Sequence, residues 1–351
     1  MSFSGSKTLM EEGDTVLLYL GYDNIVQLQL ARGRVHQTRY GAIKHEHLIG
    51  APYGAKVDCP KGWVYPLQPT AELWTLALPH RTQILYTPDI SLIVLQLHLK
   101  PGAVVVEAGT GSGSLSHALI RSVMPSGHLH TFEFHAERCA AARAEFEQHG
   151  LGDYVTARHR DVCAQGFELE HVADAVFLDL PAPWECINSA KQALRQGGRI
   201  CTFSPCMEQV QRTCEELCKH GFEDLSTVEC LARNFSVQSV RMAPIDFGDS
   251  QDQKGDTQAS HSSKISKTDL PSSQGKADES EMETEQQDSE TRTAAENVGD
   301  TLVRAETQYA QPNSKATNQS GTRSKGAEFK SAAPPNVMQG HTGFLTFASL
   351  Y

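Results

Sequence analysis

The stretch AVVVEAGTGSGSLSHALIRSV, residues 103–123, decides how the rest of the chain is read. Residues 103–107 read as a buried parallel strand, and three glycines follow at alternate positions, Gly109, Gly111 and Gly113. Leu115, Leu119 and Ile120 then start a helical apolar spacing. A strand that feeds a helix through glycines lets the backbone approach a ligand closely, with the free amides of the helix turned toward it. The stretch therefore predicts a nucleotide cradle. The dinucleotide fingerprint G-x-G-x-x-G fails, because Ser114 stands where its third glycine is needed.

Outward from the cradle, strands and helices alternate. Residues 128–134, 154–162, 174–180 and 198–205 read as strands, and 135–150, 184–194 and 207–221 as helices, with further strand material at 226–237. Such units predict an α/β fold, a parallel sheet with helices on both faces. Upstream, residues 81–102 read as a linker and a helix that closes at Pro101-Gly102. Residues 1–80 read as a small β-rich domain with alternating runs at 15–20 and 24–30. The intervening loop at 31–41 carries Arg32, Arg34, His36 and Arg39, which suits phosphate contact, with a solvated hairpin as the equal alternative.

Residues 248–339 break the pattern. They are rich in Ser, Thr, Gln and charge with few large apolar residues, and are expected to be a disordered polar insertion. Residues 340–351 return to strand character, so 103–247 and 340–351 are expected to form one domain around the insertion.

Composition narrows the function classes. No run of about 18 apolar residues is present, so no membrane span and no membrane partner are expected. The first residues, MSFSGSKTLMEEGD, lack an apolar core and carry acids, which argues for a nucleocytoplasmic protein. The nine cysteines include no C-x-x-C; Cys214 and Cys218 could share a helix face, but no second pair completes a zinc site, so reduced thiols and no metal are expected. The net charge of -11 is unhelpful for holding nucleic acid unaided.

Three acids stand where chemistry would be. Glu133 closes the second strand, the place from which an acid accepts hydrogen bonds from ribose hydroxyls. Asp161 and Val162 close the third, where an acid and an amide could read an adenine edge. Asp179 closes the fourth, followed by Leu180-Pro181-Ala182-Pro183-Trp184, a turn whose prolines fix the backbone behind the carboxylate.

The run E-x-G-x-G-x-G from Glu107 to Gly113 resembles the first motif of class I S-adenosylmethionine-dependent methyltransferases. EAGTGSGS, HTFEFH, RDV, FLDLPAPW and FSPCMEQVQ, with WVYPLQPTAELWTLALPHRTQILY upstream and GHTGFLTF at the end, together resemble the catalytic subunits of the tRNA (adenine-N1)-methyltransferases acting at tRNA position 58. The resemblance implies a Rossmann-like methyltransferase domain with a small N-terminal β domain, and S-adenosyl-L-methionine as cofactor. It places Glu107, Gly109, Gly111, Gly113, Ser114, Leu115, Glu133, Arg138, Asp161, Val162 and Asp179 at the cofactor, with Asp179 catalytic. It turns Leu20, Gly21, Tyr22, Arg39, Tyr40, Ile84, Leu85, Tyr86, Pro181, Ser204, Pro205, Gln209 and Thr342 toward tRNA. It further implies a heterotetramer with a non-catalytic partner subunit in the nucleus, methylating N1 of the T-loop adenine, with T-loop-like sites in mRNA as a further candidate substrate. The alternatives are a methyltransferase of the same fold on another RNA base or a small molecule, and a non-catalytic RNA-binding subunit.

Overall fold

Short alternating runs near the N-terminus form strands, of which the first is buried on both faces, with Val16 and Leu18 in one cluster and Leu17 in another. β1 (Thr15–Gly21) pairs antiparallel with β2 (Asn24–Gln29), Thr15 opposite Gln29. β3 (Val35–Thr38) and β4 (Gly41–Lys44) make a hairpin, while β5 (Val57–Cys59) and β6 (Gly62–Leu67) complete a sheet of order β2-β1-β6-β5. Val16, Leu18, Leu20, Leu28 and Val64 bury into one cluster, as the period of 2 requires. The arginine loop expected at 31–41 is the β3-β4 hairpin, turned at Arg39-Tyr40. The computed structural model describes every residue except 1, 2, 4, 22, 23, 80, 233, 234, 243–326 and 335–342.

The β-rich reading of residues 1–80 stops short at Thr70. Its hydroxyl accepts the Leu73 amide at 3.3 Å and starts α1 (Ala71–Ala77), which buries Trp74. α2 (Thr87–Gln96) then leads to the central layer, with Pro88 in its first turn, where the missing amide costs nothing.

The central layer follows the alternation of the sequence. Its elements are β7 (Val104–Ala108), α3 (Ser114–Val123), β8 (His128–Glu133), α4 (Ala136–Gln148), β9 (Val155–His159), α5 (Val162–Gln165), β10 (Ala173–Leu178), α6 (Ile187–Ala193), β11 (Leu194–Ser204), α7 (Met207–Lys219) and β12 (Phe222–Val228). β13 (Ser236–Met242), β14 (Ala327–Ala333) and β15 (Phe344–Leu350) come last. The sheet order is β12-β15-β11-β10-β7-β8-β9, and β15 runs antiparallel to both its neighbours. Val105 and Ala175 face one core with α2, α3 and α4, whereas Val106 and Val176 face another with α6 and α7. Strands buried on both faces explain the continuous apolar runs.

Several boundaries differ from those expected. β9 ends at His159 instead of 162, because Asp161 caps α5: its Oδ1 accepts the amides of Cys163 at 3.1 Å and Ala164 at 3.2 Å. The strand material expected at 226–237 is split between β12, which begins at Phe222, and β13. The insertion expected to be disordered over 248–339 contains β14; the rest of that expectation lies outside the described residues, apart from Pro334. The N-terminal sheet and the central layer also belong to one compact unit, Met1–Ser236 with Ala333–Tyr351. Leu17, Trp74, Leu78 and Ile84 form a core that joins the first sheet to the segment entering the cradle. Val237–Ala332 is a second unit, and β13 with β14 forms a two-stranded sheet.

Candidate active site

The glycine turn is built as its sequence dictates. Gly109, Gly111 and Gly113 have φ of 99°, 54° and 76°, a region in which side chains are strained. A Cβ on Gly109 would collide with the Asp179 carbonyl, and one on Gly111 would lie 2.7 Å from the Thr82 hydroxyl. The turn is therefore pressed between the end of β10 on one side and the 81–86 segment on the other.

A cavity of about 820 Å³ opens at this edge of the sheet. Gly109, Gly111, Glu133, Arg138, Asp161, Val162 and Asp179 all line it, so three acids at or just past the ends of β8, β9 and β10 face one space. Ile84, Leu85, Tyr86, Pro181, Pro205 and Gln209 line it as well. Gln209 donates to the Pro181 carbonyl at 3.0 Å and braces the proline turn.

The acids are held differently. Glu133 accepts the Gly111 amide at 3.0 Å, the His135 amide at 3.0 Å and Arg138 Nη2 at 2.7 Å. Burial opposes its charge, but these donors prevail and hold its carboxyl below the usual range. Asp179 is half-buried with no cation beside it, and burial pushes its carboxyl up to about 6. It remains largely ionised at neutral pH and lacks a strong partner, a carboxylate ready to accept from a ligand.

Glu107, Ser114 and Leu115 lie behind the turn, where with Gly113 they line a recess beneath it and not the large cavity. Buried Glu107 accepts from the hydroxyls of Ser116 and Thr131, both at 2.6 Å, and burial lifts its carboxyl to about 7. Ser114 donates to the Leu85 carbonyl at 3.1 Å and meets the Thr75 hydroxyl at 2.9 Å. These residues shape the cradle from below. Ser204 is buried at the end of β11 and does not line the cavity.

The N-terminal residues expected at RNA form a separate group. The Tyr40 hydroxyl donates to the Leu20 carbonyl at 3.0 Å, Arg39 donates to the same carbonyl, and the guanidinium packs against Gly21. None of the four lines the cavity. Tyr22 and Thr342 lie outside the described residues.

The sequence reading missed a strap across the turn. Arg81 pairs with Glu145 at 2.9 Å, its amide donates to Ser112 Oγ at 2.8 Å, and its Nη2 donates to the Ser112 carbonyl at 3.1 Å. Behind it, His117 Nδ1 contacts the Gly113 carbonyl at 2.6 Å and Nε2 contacts His149 Nδ1 at 2.9 Å. His117, Glu145 and His149 bring ligand atoms within 4.8 Å of one another. The Arg81 guanidinium already balances Glu145 and would repel a further cation, while Glu145 Oε1 and His149 Nε2 are buried without a hydrogen-bond partner among the described residues. Asp89, also missed, lines the cavity with a carboxyl raised by burial. No spacing in the sequence marks it.

A model of the family described as the tRNA methyltransferase complex GCD14 subunit matches residues 62–350. This chain belongs to that family. A relative of the GCD14-family chain, the tRNA (adenine(58)-N(1))-methyltransferase catalytic subunit TRM61 of Cryptococcus neoformans, is 50% identical over 233 residues. The match covers 65% of this chain and 54% of that protein, so the chain spans about half the length of that relative. The corresponding catalytic subunit of Dictyostelium discoideum is 44% identical over 236 residues, 66% of this chain and 76% of that one. Among solved structures, an S-adenosylmethionine-dependent O-methyltransferase of Thermotoga maritima superimposes with a TM-score of 0.66 at 23% identity, covering 98% of this chain and 95% of the other. The tRNA (m1A58) methyltransferase TrmI of Aquifex aeolicus gives 0.61 at 20%, covering 97% and 98%. The fold is that of class I methyltransferases, a Rossmann-like sheet with a small N-terminal β domain.

Among the described residues, no helix is long and apolar enough to cross a membrane.

Proposed function

We propose that this GCD14-family chain transfers a methyl group from S-adenosylmethionine to N1 of the T-loop adenine at tRNA position 58, as the catalytic half of a nuclear heterotetramer with a non-catalytic partner subunit. The observation that carries the reading is the convergence of Glu133, Asp161 and Asp179 on one cavity beside a glycine turn. The fit to the cofactor is chemical. Gly109 and Gly111 line the cavity with bare backbone that a ligand can approach, Glu133 offers a fixed carboxylate to ribose hydroxyls, and Asp161 with the Val162 amide can read adenine. The cavity lies within the 300–1,000 Å³ range of small-molecule sites and accommodates a nucleoside.

When bound, the cofactor supplies an electrophilic methyl group on a sulfonium. The chain's own residues do the rest. Glu133 and Arg138 hold the ribose end, the proline turn from Pro181 fixes Asp179, and the walls exclude water. N1 of adenine has a free lone pair, so no base need remove a proton before attack, and positioning supplies much of the acceleration. Methylation leaves the base cationic. The Asp179 carboxylate, accepting from the adenine amino group, stabilises that charge as it develops. A T-loop adenine must first leave its stack, at a cost of a few kcal/mol.

The net charge of -11 supports a partner that brings the cations needed to grip tRNA. Unbroken acids and glycines speak against the non-catalytic alternative. The test is methyl transfer from labelled S-adenosylmethionine to an unmodified tRNA transcript, with and without the partner subunit, followed by nucleoside analysis. N1-methyladenosine that disappears when position 58 is changed to guanosine is the expected product; cofactor binding without tRNA product would overturn the substrate. T-loop-like mRNA hairpins belong in the same assay.

A further inference from the structure

Two thiols that the methyl-transfer chemistry does not use meet beside the cavity. Cys163 sits in the first turn of α5, next to Asp161 and Val162, and lines the cavity wall. Cys186 closes the 3-10 turn that follows the Asp179-Pro181 segment, is fully buried, and does not line the cavity. Their sulfurs are 2.6 Å apart, inside van der Waals contact, and both cysteines are free. One thiol is exposed and one is its buried neighbour, the arrangement of a reacting and a resolving cysteine. No other sulfur–sulfur contact occurs among the described residues.

We propose that Cys163 and Cys186 form a redox-modification site, which a peroxide-class oxidant converts to a disulfide that ties α5 to the turn after Asp179. The Cys163 thiolate attacks one peroxide oxygen, breaking the O–O bond and leaving a sulfenic acid and water. The Cys186 sulfur then attacks the sulfenic sulfur, forming the S–S bond and expelling a second water. Two thiols lose two electrons and two protons in all, and one peroxide is reduced to two waters. Burial, together with Asp161 and Glu185, pushes the Cys163 thiol up, so the reaction is slow and calls for sustained oxidant.

The consequence follows from where the two sulfurs point. The Cys163 amide donates to Asp161, so a pull on Cys163 is a pull on the residue proposed to read adenine. Cys186 lies in the core behind the wall, and the bond draws α5 toward it and away from the cavity. Oxidation therefore weakens ligand binding and steadies the fold at once.

The test treats the full chain with hydrogen peroxide, quenches with an alkylating reagent under denaturing conditions, and maps peptides without reduction. The expected result is a Cys163–Cys186 linked peptide 2 Da lighter than the two thiol peptides, reversed by dithiothreitol, with a thermal midpoint several degrees higher. Cys186→Ala should lose the linkage and leave Cys163 oxidised alone. Absence of the linked peptide in the wild-type chain, or pairing of Cys163 with another cysteine, overturns the proposal. That readout needs no cofactor, so it succeeds or fails independently of the methyltransferase reading. Calorimetry with S-adenosylhomocysteine, a non-reacting probe, should give a several-fold weaker affinity for the oxidised chain; unchanged affinity would refute the coupling to the cavity.

Discussion

Asp179 works against the stability of the fold that holds it. Burial raises its carboxyl from 3.8 to about 6, so between those values the folded chain keeps a proton that the unfolded chain releases. The sign follows: this group favours folding most below pH 3.8, and the benefit is lost as pH rises through 6. Asp179→Asn should therefore raise the thermal midpoint at pH 8, by a stability gain on the order of 1 kcal/mol that vanishes near pH 4. Asp179→Ala should lower methyl transfer about 100-fold or more while cofactor binding, read by calorimetry, persists. Wild-type turnover should fall as the pH drops below about 6, because the protonated acid cannot accept from adenine. Gly109→Ala makes the contrasting case. Its Cβ strikes the Asp179 carbonyl at a φ of 99°, so cofactor binding and activity should go together while far-UV circular dichroism keeps its shape. These positions were legible in the sequence because each lies where a strand runs out beside a glycine or a proline. Arg81 and Glu145 were not: their pairing spans 64 residues and joins a linker to the last turn of α4.

The strap and the helix before it show how elements position the site. α1 was missed because seven residues hold too few turns to display a period, and only the Thr70 cap marks its start. Yet Trp74 on α1 packs edge-on against His149 and Phe3, directly behind the glycine turn. Trp74→Ala should cost about 3–5 kcal/mol of stability, read as a lower urea midpoint. Arg81→Met leaves Glu145 with a largely buried, unpaired carboxylate and removes the guanidinium bond to the Ser112 carbonyl, while the backbone amides of residues 81 and 82 still hold Ser112 Oγ. It should cost about 1–3 kcal/mol and raise the dissociation constant for cofactor more than it lowers turnover at saturation. The parallel sheet of the central layer was within reach of the alternation, but its strand order, with antiparallel β15 between β11 and β12, was not. Nor was the end of β9, because a side-chain cap at Asp161 competes with strand hydrogen bonds and leaves no apolar signature.

At the scale of the whole molecule, charge and topology set the terms. A chain of net charge -11 should bind tRNA weakly by itself, and filter binding across a salt series should show both affinity and salt slope rising when the partner subunit is added. Tight binding by the isolated chain at physiological salt would remove the need for a partner's cations. The return to strand character after a long polar stretch was readable, and β15 indeed pairs on both edges, Ile200 opposite Ala348 and Phe222 opposite Leu350. What composition could not reveal was β14, whose seven residues carry two charges and a single large apolar side chain, Phe329.

The place of β15 bears on how the protein is made. During translation, β11 and β12 leave the ribosome with the strand that should lie between them still unwritten. Synthesis from Val228 to Phe344 takes roughly ten seconds at cellular elongation rates, and for that time two open sheet edges face the cytosol. Nascent chains should therefore engage chaperones over this interval, and the length of the polar segment, by setting how long the wait lasts, acts as a timer on that dependence.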